Sequence, residues 1–227
     1  GEKMVLGDLA KTLTRVRDQG RDGFYKGTTA KLIAEEMASH GGLINEADLA
    51  AYQPAERATV TGSYRGYEII SMPPPSSGGT AMIEMLNILE GYDLKSLGHN
   101  SPQYVHYLAE SMRRAFRDRA LYMGDPDFTK PPLEKLMSKA YATELRSTIV
   151  KDKASPSSPA DVAQGYESDE TTHYSVADNA GNVVSTTYTL NLNFGSGIVA
   201  AGTGVLMNNE MDDFSAKAGV PNAYGLL

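Results

Sequence analysis

Thr171 is the residue of this sequence whose position fits nucleophilic chemistry best. A threonine hydroxyl is a weak nucleophile unless a base removes its proton, and a chain that begins with threonine carries such a base in its own α-amine. A free α-amine titrates near about pH 8, so part of it is neutral and able to accept a proton at physiological pH. This chemistry therefore requires the chain to cut itself between Glu170 and Thr171.

The residues on either side of Thr171 have the composition that such self-cleavage requires. Residues 151–169 are polar and rich in proline and serine, which predicts a loop or connector, whereas residues 172–177 have the pattern of a strand. A loop followed by a strand that starts with threonine is nevertheless common. On this local pattern alone, an ordinary strand threonine is the better interpretation.

Composition argues against several other kinds of chemistry. The chain has no cysteine, and its four histidines show no HxxxH or HxH spacing, so no zinc site, no other metal and no cofactor is expected. The net charge is −7, and the basic residues are interspersed with acids, which argues against nucleic acid. No apolar run approaches the length of a membrane span, and the first residues lack the pattern of a signal peptide.

Three further features favour structural interpretations. Ser76–Gly79 lacks the context of a serine nucleophile or a phosphate loop and predicts a tight turn between a strand and a helix. Asp178–Asn182 lacks the spacing of a calcium loop and predicts a hairpin turn. His173 alternates with Thr172 and Tyr174 along its strand and therefore points to the opposite face, where a structural hydrogen bond is favoured over catalysis.

The elements that must position Thr171 change from helical to extended along the chain. Periodicity and helix-end signals predict helices at 8–19, from a cap at Thr28 or Thr29 to an end at His40–Gly42, at 45–49, after Gly79, at 101–123 and at 139–150, with a hairpin or meander at 59–70. A second hairpin is predicted at 172–190, followed by short strands at 198–199 and 205–207. In the long helix, the residues expected to face inward are Val105, Leu108, Met112, Ala115 and Ala120, and those expected to face solvent are Arg113, Arg117 and Arg119.

Several motifs, in this order along the chain, together resemble the γ-glutamyltranspeptidase family. Those that are similar to the family's large subunit are Gly23–Gly27, Ala47–Tyr52, Met72–Gly79 and Gly124–Phe128. Those that are similar to the start of its small subunit are Thr171–Val176, Thr187–Asn191, Phe194–Gly197 and Asn208–Ser215. The resemblance covers essentially the whole chain, and the agreement of independent motifs makes it specific.

The resemblance implies an α+β fold of the N-terminal-nucleophile hydrolase type. That fold is a four-layer αββα sandwich in which two stacked, mostly antiparallel sheets lie between helices, and this chain is expected to carry part of it. Residues 1–170 would be the C-terminal part of the large subunit, mainly helical, with the Pro/Ser-rich junction loop at 151–170. Residues 171–227 would be the β-rich N-terminal part of the small subunit, with the nucleophile and the start of a lid loop.

The resemblance also implies roles for individual residues. Thr171 would first attack the carbonyl of Glu170 in an N→O acyl shift that splits the precursor, and then the γ-carbonyl of a donor. Thr189 would hydrogen-bond to this nucleophile. The residues that would bind the donor are Asn191, Glu210 and Asp213, with Tyr224 in the lid.

The binding role of these residues has a chemical basis and a structural alternative. Two acids and an amide fit an α-ammonium group, which has three donors and a positive charge. An amide could serve as well at Glu210, so the charge of Asp213 is expected to matter more. Asn191, Glu210 and Asp213 could instead be turn and capping residues.

The activity implied is γ-glutamyl transfer and hydrolysis. The expected donors are glutathione and related γ-glutamyl compounds, the acceptors are amino acids, peptides or water, and processing would give a heterodimer of large and small subunits. A periplasmic or extracellular location is implied by the family. Related alternatives are an acylase for glutaryl-β-lactams or a poly-γ-glutamate transferase, and a non-catalytic fragment is the alternative from another class.

The chain also departs from the family pattern in what it lacks. Nothing in it matches the family's donor-binding arginine, its Ser-Ser pair or the Gly-Gly pair of its oxyanion hole. The sequence is therefore expected to be an internal fragment. Because an oxyanion donor contributes roughly 3–4 kcal/mol to lowering a barrier, negligible activity is expected of this polypeptide alone.

Overall fold

The computed structural model describes residues 2–156, 171–214 and 217, and their contacts separate into two units. One unit combines Gly1–Pro54 with Gly165–Leu227, and the other is Ala55–Gln164. The helical beginning of the chain therefore shares a unit with its β-rich end. The subunit boundary at Thr171 stays a prediction.

The helices and strands follow the order that the sequence predicts, with short additional helices between them. In chain order they are α1 Gly7–Gln19, α2 Asp22–Tyr25, α3 Gly27–Ser39, α4 Glu46–Ala51, β1 Val60–Tyr64, β2 Tyr67–Ser71, α5 Gly78–Leu89, α6 Leu94–Leu97, α7 Pro102–Tyr122, α8 Leu133–Leu136, α9 Lys139–Ser147, β3 Thr172–Ala177, β4 Val183–Tyr188, β5 Val199–Ala200, β6 Val205–Leu206 and a 3-10 helix Glu210–Asp213. Strand pairing in the described residues is antiparallel, as β1–β2, β3–β4 and β5–β6. Within the same residues, no helix combines the length and apolar character needed to cross a bilayer.

In the first unit, the start of α3 differs from the prediction. Thr28 or Thr29 was expected to cap this helix, but α3 begins earlier, at Gly27, without a side-chain cap. The buried Thr29 hydroxyl instead donates to the backbone carbonyl of Gly23 at 2.8 Å. Thr29 therefore joins α3 to α2, because a buried hydroxyl needs a partner wherever the fold provides one.

The same unit joins α1 to the turn between β5 and β6 through buried threonines. Thr12, which is 1% exposed, donates its hydroxyl to the carbonyl of Thr203 at 2.8 Å. Arg15 donates to the hydroxyls of both Thr12 and Thr29, at 2.9 and 2.8 Å. The Thr12–Thr203 bond spans 191 positions of sequence and helps to explain why the first helices belong with the β-rich end.

In the second unit, the turn from β2 to α5 confirms the structural interpretation of Ser76–Gly79. A Cβ at Gly79 would lie 2.2 Å from the carbonyl oxygen of Met72 and 2.7 Å from a methyl of Val60. Only glycine fits this contact between the turn and the hairpin β1–β2. The motif therefore packs a helix against a hairpin.

The buried face of α7 differs from the predicted one. Val105 and Met112 are 48% and 43% exposed, whereas Ala115 is buried as expected. The buried positions of α7 are mostly polar and comprise Glu110, Ser111, Arg114, Ala115 and Asp118. The prediction was wrong because these polar groups meet partners on other elements, which makes their burial tolerable.

Glu110 and Arg114 illustrate such a partnership. Arg114 donates to the Glu110 carboxylate at 2.6 Å, and Glu110 also accepts the backbone N–H and the hydroxyl of Ser155 at 2.8 and 2.6 Å. Burial opposes ionisation, but the bonds from Ser155 and Arg114 outweigh it and lower the pKa of Glu110 to about 2. Glu110 is therefore an ionised anchor that holds the chain after α9 against α7.

A second buried cluster links α5, α7 and α9. Glu84 and Asp118 are 1% and 4% exposed and share a hydrogen bond, and the Tyr141 hydroxyl donates to Asp118 at 2.7 Å. Burial, then the charge of Asp118 and the hydrogen bond to it, raise the pKa of Glu84 to about 8. Glu84 is therefore protonated in the folded protein at neutral pH.

We expect this carboxyl pair to make the second unit less stable in alkali. Between about pH 4.5 and about 8 the unfolded chain has lost the Glu84 proton, whereas the folded chain keeps it. The free energy of unfolding therefore falls as pH rises through this range, by a total on the order of a few kcal/mol. Glu84→Gln removes this proton and should flatten the dependence. Thermal melts of the full-length protein at several pH values measure it.

The exposed carboxylate of Glu134, in α8 of the same unit, provides the control. Glu134→Gln should leave the pH dependence of Tm as in wild type, because an exposed carboxylate in water has little effect on it. A Glu84→Gln protein whose Tm falls between acid and alkaline pH as steeply as that of wild type would contradict the expectation.

Candidate active site

The hairpin β3–β4 brings Thr171 and Thr189 to the same end of one two-stranded sheet. The register pairs Thr172 with Tyr188, so Thr171 directly precedes the last pair of β3 and Thr189 directly follows it on β4. Thr171 and Thr189 are therefore the residues that flank this last pair at the open end of the hairpin.

The closed end of the hairpin has the predicted turn. Asp178 Oδ1 accepts the backbone N–H groups of Ala180 and Asn182, each at 2.9 Å, and its other oxygen accepts the Asn182 side-chain amide at 2.8 Å. These bonds lower the pKa of Asp178. The strand β4 ends at Tyr188 rather than at Leu190, because the backbone leaves the ladder at Thr189.

His173 has the structural hydrogen bonds that the sequence favours. Its Nδ1 lies 2.7 Å from the hydroxyl of Thr187, its partner in the register, and its Nε2 lies 3.1 Å from the hydroxyl of Ser185. In the tautomer with the proton on Nε2, Thr187 donates to Nδ1 and Nε2 donates to Ser185. Because strand side chains alternate, His173 lies on the same face as Thr171.

The backbone after β4 is shaped by Asn191. It has a φ of +76°, a conformation that asparagine tolerates better than most residues, and it is 5% exposed. Its backbone N–H donates to the hydroxyl of Thr189 at 2.9 Å, and its side-chain amide donates to the carbonyl of Asn209 at 2.9 Å. The Thr189 hydroxyl oxygen accepts this hydrogen bond from Asn191. The bond does not use the proton of the Thr189 hydroxyl.

Asn209 connects this segment to the 3-10 helix, and the sequence interpretation missed its role. Its side-chain oxygen accepts the N–H of Leu192 at 3.1 Å, its side-chain amide donates to Asp212 at 2.8 Å, and its backbone N–H donates to Leu190 at 3.1 Å. The Asn-x-x-Asp spacing of Asn209 and Asp212 indicates a turn. It does not indicate that the turn would bind the backbone at Leu192. Asn209 and Asp212 are therefore turn residues.

Glu210 and Asp213 lie one turn apart in the 3-10 helix. One carboxylate oxygen of Glu210, Oε1, is buried and has no hydrogen-bond partner among the described residues. Burial first, and then the charge of Asp213, raise the pKa of Glu210 above its ordinary value. Two neighbouring acids with a buried unpaired oxygen form a site that a cationic group would complete.

The predicted site residues therefore form two connected groups. Thr171 and Thr189 flank the open end of the hairpin, and the bonds through Asn191 and Asn209 connect Thr189 to the helix that carries Glu210 and Asp213. Thr171 is exposed. Glu170 and Tyr224 lie outside the described residues.

Comparison with solved structures gives the class of this fold. Helicobacter pylori γ-glutamyltranspeptidase is 45% identical and matches 74% of this chain and 49% of its own with a TM-score of 0.68. A cephalosporin acylase from Bacillus halodurans is 30% identical and matches 97% of this chain and 38% of its own with a TM-score of 0.77. The mixed helices and strands therefore represent part of an N-terminal-nucleophile hydrolase fold, as the sequence predicts.

Sequence comparison gives the family. A profile of the γ-glutamyltranspeptidase family matches residues 1–226, and the chain belongs to that family. The glutathione hydrolase proenzyme of Escherichia coli is 52% identical over 230 residues, which comprise the whole of this chain and 40% of the relative. The chain thus spans about two fifths of the length of this curated relative.

Proposed function

We propose that this chain is part of a longer proenzyme that transfers and hydrolyses the γ-glutamyl groups of glutathione and related compounds. The observation that carries the proposal is the placement of Thr171 and Thr189 at the open end of one hairpin, with Thr189 linked through Asn191 and Asn209 to the acidic 3-10 helix. One group supplies a nucleophile with a hydroxyl beside it, and the other supplies negative charge for an ammonium group. The glutathione hydrolase relative supports the substrate class.

The chemistry has two stages that use the same oxygen. Thr171 Oγ first attacks the preceding carbonyl, the C–N bond breaks to give an ester and a free Thr171 α-amine, and hydrolysis of that ester restores the hydroxyl and divides the chain into two subunits. In the second stage this amine accepts the Thr171 proton while Oγ attacks the donor γ-carbonyl. Water or an amine acceptor then takes the γ-glutamyl group from the ester.

The acidic helix supplies the proposed recognition of the donor. The donor α-ammonium would lie against Glu210 and Asp213, where it gives the buried Glu210 oxygen a partner. Charge-assisted hydrogen bonds of this kind are about twice as strong as neutral ones. The same contact favours the ionised form of Glu210, because a nearby positive charge offsets the burial that raises its pKa.

The rest of the proenzyme would complete the active site and determine the cellular location of the enzyme. Because this chain spans two fifths of its relative, we expect the 227 residues alone to show negligible transfer. We also propose that the enzyme is periplasmic or extracellular, the location that the family resemblance implies.

An acylase for glutaryl amides is the second candidate, favoured by the similarity to the cephalosporin acylase along 97% of the chain. A pair of p-nitroanilides separates the two activities, because a glutaryl group is a γ-glutamyl group without its α-ammonium. We expect the full-length protein to prefer the γ-glutamyl substrate by about 100-fold in kcat/KM, the effect of losing roughly 3 kcal/mol of charge-assisted bonding.

The rate of p-nitroaniline release from each substrate measures this preference, and an uncut Thr171→Ala protein gives the background. Turnover of the glutaryl compound with none of the γ-glutamyl compound would overturn the proposal in favour of the acylase.

A further inference from the structure

Self-cleavage needs a proton acceptor, and the α-amine of Thr171 cannot serve as one at that stage. Before the chain is cut, the nitrogen of Thr171 is part of a peptide bond and has no lone pair available for a proton. The first attack by Thr171 Oγ therefore requires another base, which the second stage does not need. On the face of β3–β4 that carries Thr171, the side chain with a ring nitrogen able to accept a proton is the imidazole of His173.

The geometry of His173 fits this role. It follows Thr171 by two residues, so the two side chains project from the same face at a backbone spacing of about 6.6 Å. Thr187, opposite His173 and diagonal to Thr171, brings its hydroxyl oxygen within 2.7 Å of His173 Nδ1. Ser185 holds the other ring nitrogen at 3.1 Å, which fixes the orientation of the ring.

On its own face of the hairpin, His173 lies among hydroxyls and small apolar side chains. The side chains that share this face are Thr171, Ser175, Ala177, Val183, Ser185 and Thr187. A row of hydroxyls next to a neutral imidazole can pass a proton along its hydrogen bonds. Thr171, Thr187 and His173 form such a row, with one water able to bridge the diagonal step.

We propose that His173 is the proton acceptor for self-cleavage before Thr171, through the hydroxyl of Thr187. The inference rests on the proposed function and concerns its first stage alone. As Thr171 Oγ bonds to the carbonyl carbon of residue 170, its proton passes to Thr187, whose own proton passes to Nδ1. The imidazolium then returns a proton to the Thr171 nitrogen as the C–N bond breaks, and water hydrolyses the ester.

The two stages can be separated by substitution at His173. His173→Ala removes the acceptor, and His173→Gln keeps a hydrogen-bonding side chain that cannot accept the proton. Because general base catalysis contributes about 100-fold to 10⁴-fold, both variants should cut themselves at least about 100-fold more slowly than wild type. Once cut, both should turn over γ-glutamyl-p-nitroanilide with a kcat within about threefold of wild type, because the free α-amine is then the base.

The experiment follows the full-length precursor after a pulse of cell-free synthesis, with gel separation of the precursor and its two products. Ser175→Ala, one position further along the same face, is the matched control and should cut at the wild-type rate. Added imidazole should restore much of the cutting rate of His173→Ala but not that of His173→Gln, whose side chain fills the space.

The outcomes distinguish this inference from the proposed function. Cutting of both His173 variants at the wild-type rate, or slow cutting of His173→Ala that imidazole leaves unchanged, overturns the role of His173 and leaves the proposed function intact. A wild-type precursor that never divides at Thr171 overturns the proposed function and this inference with it.

Discussion

Replacing Thr171 with alanine is expected to leave the full-length protein as one uncut chain without measurable γ-glutamyl transfer. The same hydroxyl is the nucleophile of both stages, so its loss removes the attack on residue 170 and the attack on the donor. Wild type should give two fragments whose masses sum to the precursor plus one water, with Thr171 as the new amino terminus. Intact mass after prolonged incubation measures the cut, and p-nitroaniline release measures transfer.

Two variants make this expectation specific. Thr172→Ala removes a hydroxyl that the strand places on the opposite face, so it should cut and turn over within about threefold of wild type. Thr171→Ser keeps a hydroxyl at the reacting position and should still cut, although more slowly. Division of the Thr171→Ala protein between residues 170 and 171 would contradict the assignment of the nucleophile.

The order of helices and hairpins could be predicted because each depends on local pattern. The proline after Ser101 and the alternation in Thr172–Ala177 are readable within a few residues, and both elements form there. The buried face of α7 could not be predicted in this way. Glu110 is buried because Ser155, 45 positions away, bonds to its carboxylate, and local hydrophobicity carries no trace of that partner.

In the candidate site, too, some features follow from local pattern and others depend on distant contacts. The placement of Thr171 and Thr189 at the open end of one hairpin follows from a turn, at Asp178–Gly181, that is visible in the sequence and fixes the register. The role of Asn209 depends on a loop that returns from β6 to meet Leu192, and no local pattern encodes that meeting. Short-range rules therefore place the proposed nucleophile, and tertiary contacts place the proposed recognition group.

The second large effect is expected at Asp213. Asp213→Asn removes a negative charge from the proposed ammonium site and should raise KM for γ-glutamyl-p-nitroanilide by about 100-fold, with a smaller change in kcat, because a charge-assisted bond contributes roughly 1.5–3 kcal/mol to binding. Glu210→Gln is the matched variant in the same helix. Its KM near neutral pH should stay within about threefold of wild type, since an amide oxygen also accepts a bond from an ammonium.

The two variants should differ further in their dependence on pH. Burial and the charge of Asp213 raise the pKa of Glu210 in the free protein, so the wild-type site loses a negative charge as pH falls through that raised pKa, and KM for the donor should rise there. Glu210→Gln has no proton to gain and should lack this rise, whereas Asp213→Asn should keep a weakened form of it. KM measured from neutral to mildly acidic pH tests the difference.

Turnover of the glutaryl substrate tests whether the changes in KM arise from a contact with the donor ammonium group. It lacks the positive charge that Asp213 is proposed to meet, so Asp213→Asn should weaken its turnover far less than that of the γ-glutamyl compound. An equal loss on both substrates would mean that Asp213 supports the loop around Asn209 rather than the donor. Because the Asn209 side chain donates to Asp212, we expect a loss confined to the charged donor.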